Sequence, residues 1–139
     1  MSKNLKLIIK SINERQKSIN NLVGEISKYW GDEQRVLKLF IEAPQYSLSH
    51  PKVISLLADF LQCINDESLL SEFDLRNVED LYRLNLEVLK FELSQYEDLS
   101  HFYFSVLDDE TKASEILKKG EEKARSVLDS LKEIRQSLR

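Results

Sequence analysis

Apolar residues recur in steps of three and four along most of this 139-residue chain. The longest uninterrupted example lies between Val78 and Leu107, where no glycine or proline occurs. The whole sequence holds three glycines and two prolines, whereas all-β proteins need many turns rich in both. A repeat of about 3.6 residues is typical of amphipathic helices. The sequence therefore predicts a single all-α domain, residues 1–139, with about five to seven helices.

The first helix is predicted from Asn4 to Lys28. Its apolar side chains form a heptad-like seam that Arg15 interrupts, made of Leu5, Ile8, Ile12, Ile19, Leu22 and Ile26. One interpretation is that this helix packs on its own chain. The other is that residues 1–28 form an oligomerisation or docking element, through which the protein makes a homodimer or binds a partner. A membrane-surface helix is disfavoured because asparagines dilute the apolar face at its centre.

Shorter elements are predicted in the middle of the chain, beginning with a short helix that Asp32 caps and that ends at Glu42. Residues 45–50 are expected to form a loop between two prolines, and Ser49 is expected to cap the next helix. Residues 66–73 are compatible with a short helical turn. Asn77 is then expected to begin a long helical region, which is either one helix or two helices with a break near Gln95.

The last helix is predicted from Glu110 to Leu138, so that residues 96–120 form a long C-terminal antiparallel hairpin. Its inward positions are Tyr96, Leu99, Ser100 and Tyr103 on the first helix, and Ala113, Leu117 and Gly120 on the second. Glycine inside a helix costs about 1 kcal/mol relative to alanine, so Gly120 predicts a close approach of the preceding helix.

This arrangement of large and small residues resembles one degenerate tetratricopeptide repeat. The resemblance covers about 25 residues and implies a helical array that binds a protein partner. A generic helical bundle is the alternative, because any tight helical hairpin needs small residues at the contact.

Charge is unevenly distributed along the chain. Residues 1–31 hold six basic and two acidic residues, a net charge of +4, and residues 111–139 hold eight and five, a net charge of +3. Residues 32–110 hold six basic and seventeen acidic residues, a net charge of −11. Nucleic-acid binding needs a concentrated basic face, so this pattern disfavours it. Ordinary solvated helix faces are one explanation of the acidic middle. The alternatives are that the two basic terminal segments lie against it, or that it steers a basic partner towards itself.

Residues with catalytic or metal-binding chemistry are few. His101 lies three and four residues after Asp98 and Glu97, but the other histidine, His50, has no such companions, so no metal site is expected. Cys63 lies on an apolar helix face, which favours a buried structural role. The sequence has no glycine-rich phosphate loop and no nucleophile motif. We therefore expect neither a cofactor nor enzymatic activity.

Three consecutive aromatic residues, Phe102, Tyr103 and Phe104, point in three directions from one helix. They cannot all face one core, so at least one is expected at the surface or under another helix. Core packing of these aromatic residues is one interpretation. The alternative is partner binding, since exposed aromatic residues mark interfaces. The predicted partner-binding residues are Phe102, Phe104, His101, Glu97 and Asp98.

Two functions are compatible with this pattern. The first is a non-enzymatic protein–protein interaction module of the adaptor or scaffold type. The second is a small acidic inhibitory protein, such as an immunity protein or antitoxin, that blocks a basic enzyme or toxin. No apolar run approaches the roughly 18 residues that span a bilayer, and residues 1–30 lack a signal-peptide pattern, so no membrane association and a cytoplasmic location are expected.

Overall fold

A computed structural model describes residues 2–90 and 92–138 of the chain. Helices make up 83% of the described residues, and these residues contain no strand, which confirms the all-α class. The described residues form eight helices, one more than the largest number predicted. They are α1 (Ser2–Lys28), α2 (Glu33–Glu42), α3 (Gln45–Leu48), α4 (Pro51–Cys63), α5 (Glu67–Leu70), α6 (Leu75–Val88), α7 (Leu93–Ser105) and α8 (Glu110–Ser137).

The helix that the sequence analysis missed is α3, a single turn within the predicted loop 45–50. Pro44 occupies its N-cap position. The prediction that Ser49 caps the next helix is also wrong: His50 is the N-cap of α4, and its Nδ1 accepts a hydrogen bond from the Lys52 amide at 3.2 Å. Proline begins helices as readily as it ends them, so the two prolines of this segment do not require a loop.

Residues 1–73 form one compact unit, which contains α1 to α5. Its core is aliphatic and phenylalanine-rich, with Ile19, Ile26, Val36, Phe40, Val53, Phe60 and Ile64 buried. The Trp30 ring packs edge-on against Phe60, with 6.1 Å between ring centroids. Only the second half of α1 enters this core, because Leu5, Ile8 and Ile12 are all more than half exposed.

Residues 74–139 form a second compact unit, which contains α6 to α8. The helix α6 begins with a capping box, in which the Asp74 carboxylate accepts the Asn77 amide at 3.1 Å and the Asn77 side chain accepts the Asp74 amide at 3.0 Å. The N-cap is therefore Asp74 and not the predicted Asn77. The long helical region is two helices, with the break just before Gln95. The single-domain organisation stays a prediction.

The contact of α6 with α7 fixes the rotation of α7 about its axis. The Tyr82 and Phe102 rings lie 5.5 Å apart, centroid to centroid. Arg83 donates hydrogen bonds to the Tyr103 hydroxyl and, through Nε, to Glu79 Oε1 at 3.0 Å. Phe102 and Tyr103 are therefore buried, and the next residue of α7 must face a different side.

A short turn reverses the chain between α7 and α8. Asp108 has a positive φ of 53°, a left-handed conformation that aspartate adopts more readily than most residues. Asp109 then caps α8, and its Oδ1 accepts a hydrogen bond from the Lys112 amide at 3.0 Å. The observed span of α8 agrees with the prediction to within one residue at its end.

Small residues bring α7 and α8 together, as predicted. The Ser100 hydroxyl donates a hydrogen bond to the Ala113 carbonyl at 3.2 Å. A Cβ atom at Gly120 would lie 2.9 Å from Cγ of Tyr96, which is closer than side chains approach. The glycine is thus needed for the close approach of the two helices at this level.

Candidate functional site

A groove follows the hairpin of α7 and α8. It consists of two adjoining depressions of about 180 and 450 Å³, which share Glu97 and Leu117 and so form one continuous surface. We call this surface the hairpin groove. All of its lining residues belong to α7 and α8, so the packing of these two helices defines its shape.

The floor of the hairpin groove is made of small side chains. Ser100, Ala113 and Gly120 are buried there, where the two helices approach most closely. Tyr96 fills the space beside Gly120, and its hydroxyl donates a hydrogen bond to the Lys90 carbonyl at 2.5 Å. Burial raises the pKa of the Tyr96 phenol above its usual value, which already lies well above physiological pH, so the phenol is neutral there. The floor is therefore uncharged and firmly packed.

The rim of the groove carries three exposed apolar side chains. Phe104 is 58% exposed, Leu93 is 47% exposed and Leu117 is 44% exposed. Single exposed apolar residues are common on protein surfaces, but three around one concave surface are typical of a binding groove.

The charges that line the groove are acidic. Glu97 on α7 and Glu110 and Glu121 on α8 face it, and the described lining residues include no lysine or arginine. His101 also lines the groove, and its Nδ1 lies 3.3 Å from the Ser105 hydroxyl. A ligand with apolar and basic groups would match this surface, because carboxylates attract cations and repel anions.

Three of the five predicted partner-binding residues meet in this groove: Glu97, His101 and Phe104. Phe102 does not belong to it, because α6 covers this side chain and leaves it 1% exposed. A partner cannot reach Phe102 in the folded protein, so that prediction does not fit the fold. Asp98 lies at the surface of α7, outside the set of residues that line the groove.

Among the acidic and exposed apolar residues of the groove, four were not predicted as binding residues: Leu93, Glu110, Leu117 and Glu121. The sequence pattern predicts that Leu117 fills space inside the hairpin. The sequence signal for its exposure is Glu121, which lies one helical turn after Leu117, since residues four apart share a helix face. A leucine and a glutamate on one face indicate the edge of a buried surface and not its centre.

The remaining residues with reactive side chains lie elsewhere. Cys63 is exposed at the C-terminal end of α4, so the predicted buried role is wrong. Cys63 lies on the side of α4 that faces away from the core, since Phe60 and Ile64 on either side of it are buried. Among residues 2–90 and 92–138, no group of three histidine, cysteine or carboxylate side chains could hold a metal ion. In the same part of the chain, no helix has an apolar stretch long enough to span a bilayer.

Comparisons of this chain with family models, with curated proteins and with solved structures gave no significant match.

Proposed function

We propose that this chain is a non-enzymatic protein–protein interaction module, and that its hairpin groove binds an amphipathic helix with basic flanks from a protein partner. The single observation that carries the proposal is the combination of three exposed apolar rim residues with three glutamates around one concave surface. Helices commonly bind proteins by placing an apolar face into such a groove.

The dimensions of the groove support a helix as the ligand. It runs along two antiparallel helices, and its apolar rim residues Leu93 and Phe104 stand eleven positions apart on α7. At 1.5 Å per residue this separation is about 16 Å, or roughly three helical turns. A docked helix could therefore place apolar residues at every turn and basic residues beside the glutamates.

The resemblance to a tetratricopeptide repeat is compatible with this proposal. Residues 96–120 have the large and small residues of the motif, with a turn one residue longer than usual and no proline after the second helix. Gly120 packs closely on Tyr96. We propose the repeat as a description of the hairpin and of how it presents a concave face, while the generic bundle stays the alternative.

The second candidate function is an inhibitor that covers a basic enzyme surface. The same glutamates support it, since either ligand would be basic. The apolar rim favours a helix over a flat enzyme surface, because flat surfaces would leave the floor of the groove unfilled.

Two synthetic helical peptides test the proposal as probes of the hairpin groove. One labelled peptide carries a leucine face flanked by lysines, and a control peptide carries the same face flanked by glutamates. We expect the lysine peptide to bind and the glutamate peptide to bind at least about tenfold more weakly, because a mismatched charge costs of the order of 1.4 kcal/mol. Fluorescence anisotropy measures both affinities.

In the same assay, Leu117→Ala should weaken the lysine peptide about tenfold, as expected for a central apolar contact. Leu84→Ala is the matched control, since Leu84 on α6 is 48% exposed and does not line the groove. Equal affinity for both peptides, or equal loss in the two leucine variants, would refute the assignment of the groove. Binding of a folded basic enzyme but not of the peptide would favour the second candidate function, in which this chain acts as an inhibitor.

A further inference from the structure

The apolar seam of α8 continues far beyond its contact with α7. Its members follow steps of three and four without interruption: Ala113, Leu117, Gly120, Ala124, Val127, Leu131, Ile134 and Leu138. The helix α7 has 13 residues and α8 has 28, so α7 covers only the first half of this seam. We call residues 125–138 the α8 overhang, which is about 20 Å long at 1.5 Å per residue.

The α8 overhang exposes its apolar residues to solvent. Leu131 is 59% exposed, Ile134 is 58% exposed and Leu138 is 80% exposed. A strict seven-residue repeat is typical of helices that pair with another helix along a supercoiled seam. The second half of α8 therefore has the sequence of a paired helix without a partner in its own compact unit.

We propose that the α8 overhang pairs in antiparallel orientation with the α8 overhang of a second copy of this chain. In the register that matches the heptads, Val127 faces Leu138 of the second copy and Leu131 faces Ile134 of the second copy. Each contact then occurs twice, as in any two-fold symmetric interface.

The residues beside the seam suit self-association. They are Leu128, Ser130, Arg135 and Ser137, of which only Arg135 is charged. In the antiparallel register the Arg135 stem lies across from Leu128 of the second copy, where its methylene groups can cover the leucine. Two identical overhangs can therefore meet without bringing like charges together.

The orientation follows from the position of α7. This helix already runs antiparallel to α8, with Ser100 beside Ala113 and Tyr96 beside Gly120. An antiparallel overhang from a second copy would lie on the same face of α8 as α7, just beyond the N-terminal end of α7. A parallel overhang would bring both α7 helices to one level, between the two α8 helices, where they would collide.

The exposed half of α1 is a weaker candidate for the same role. Its seam has three apolar positions before Arg15, whose guanidinium lies 4.9 Å from the centre of the Tyr46 ring. Residues 4–17 hold four basic residues and one acidic residue, a net charge of +3. A seam that ends at a charge and carries a net positive charge resists pairing with its own copy.

The area of the proposed contact predicts a weak dimer. The exposed parts of five apolar side chains, from Val127 to Leu138, amount to roughly 500 Å² per copy, so that a pair buries about 1,000 Å², near the lower limit for a specific interface. We therefore expect dissociation in the micromolar range.

Sedimentation velocity of the full chain between about 1 and 200 µM tests the proposal over that range. We expect a shift from monomer to dimer for the natural sequence and a monomer at every concentration for Leu131→Glu. Ser126→Glu is the matched control, because it adds the same charge on the outer face of the same helix and should dimerise normally. Circular dichroism should show both variants fully helical, since neither position is in a core.

Cross-linking tests the orientation in a Cys63→Ser background. A short bismaleimide should join Ser130→Cys to Ser137→Cys when the two variants are mixed. It should not join Ser137→Cys to itself, because in this register the two copies of that position lie about 13 Å apart along the helix axis. A monomer at all concentrations, or a dimer that Leu131→Glu leaves unchanged, would overturn the proposal. Cross-linking of Ser137→Cys to itself would overturn the antiparallel arrangement. Peptide binding at the hairpin groove is a separate measurement, unaffected by either outcome.

Discussion

The two long helices, α1 and α8, look alike in sequence but pack in different ways. Both follow steps of three and four, and in each only one half packs within its own compact unit. In α1 the packed half uses large side chains, with Ile26 completely buried. In α8 the packed half uses small ones, with Gly120 against the Tyr96 ring. The same hydrophobic period thus predicts a helix and its inner face, but it does not predict how closely a neighbour approaches.

The largest expected effect separates the two halves of α1. Ile26→Ala should lower the free energy of unfolding by about 2–5 kcal/mol, because it leaves a cavity in a closed core. Ile8→Ala should change it by less than about 0.5 kcal/mol, because Ile8 is 54% exposed. The fluorescence of Trp30, the only tryptophan, follows this unit during urea unfolding. Similar losses in the two variants would mean that the exposed half of α1 is covered in solution.

An intermediate effect contrasts the glycines inside the two helices. Gly120→Ala gains about 1 kcal/mol of helix propensity but forces Tyr96 to move, so we expect a net loss of about 1–2 kcal/mol. At Gly24 in α1 an added Cβ atom would have no neighbouring atom within 4 Å. Gly24→Ala should therefore stabilise the protein by about 0.5–1 kcal/mol. Thermal unfolding followed by circular dichroism measures both. A gain in stability for both variants would remove the distinction between the two helices.

The smallest effect concerns alkaline pH. The second unit packs with Tyr96 and Tyr103, whereas the core of the first is built from aliphatic and phenylalanine side chains. Burial raises the pKa of both phenols above the usual value, although Arg83 partly opposes this at Tyr103. Well below pH 10 these phenols are neutral in the folded and the unfolded chain and give no pH dependence of stability. As the pH rises through 10 the unfolded chain loses protons first, so the stability falls.

Urea unfolding of the full chain at pH 8, 9, 10 and 10.5 measures this dependence. Circular dichroism reports both units, and Trp30 fluorescence reports the first. Tyr96→Phe should unfold more easily at pH 8, because it loses the hydrogen bond to the Lys90 carbonyl, but its stability should fall less between pH 9 and 10.5. An unchanged slope in this variant would show that Tyr96 does not contribute to the alkaline loss.

Much of the second unit could be predicted from local sequence. The bounds of α8 follow from an aspartate cap and an uninterrupted apolar period, and the contact at Gly120 follows from the cost of a glycine inside a helix. These features depend on residues close together in the chain. Local rules are sufficient there, because the turn and the two helices that it joins are consecutive.

The errors lie where the outcome depends on a distant element. Sequence could not decide between Phe102 and Phe104, because Tyr82 on α6 determines which of them is buried. Cys63 belongs to an apolar stretch but faces outward from α4, although Phe60 and Ile64 on either side of it are buried. Leu117 follows the seam, yet α7 leaves it 44% exposed and so makes it part of the groove. Patterns identify faces, and only packing decides how much of a face is covered.

The fit between Gly120 and Tyr96 also restricts how sequences descended from this one can diverge. A larger residue at position 120 has room only if position 96 becomes smaller, since the ring carbon and the added methyl group compete for the same volume. The two positions should therefore change together over evolutionary time, as a pair and not singly. Their joint variation would identify this hairpin in any set of relatives, even where the surrounding surface residues differ.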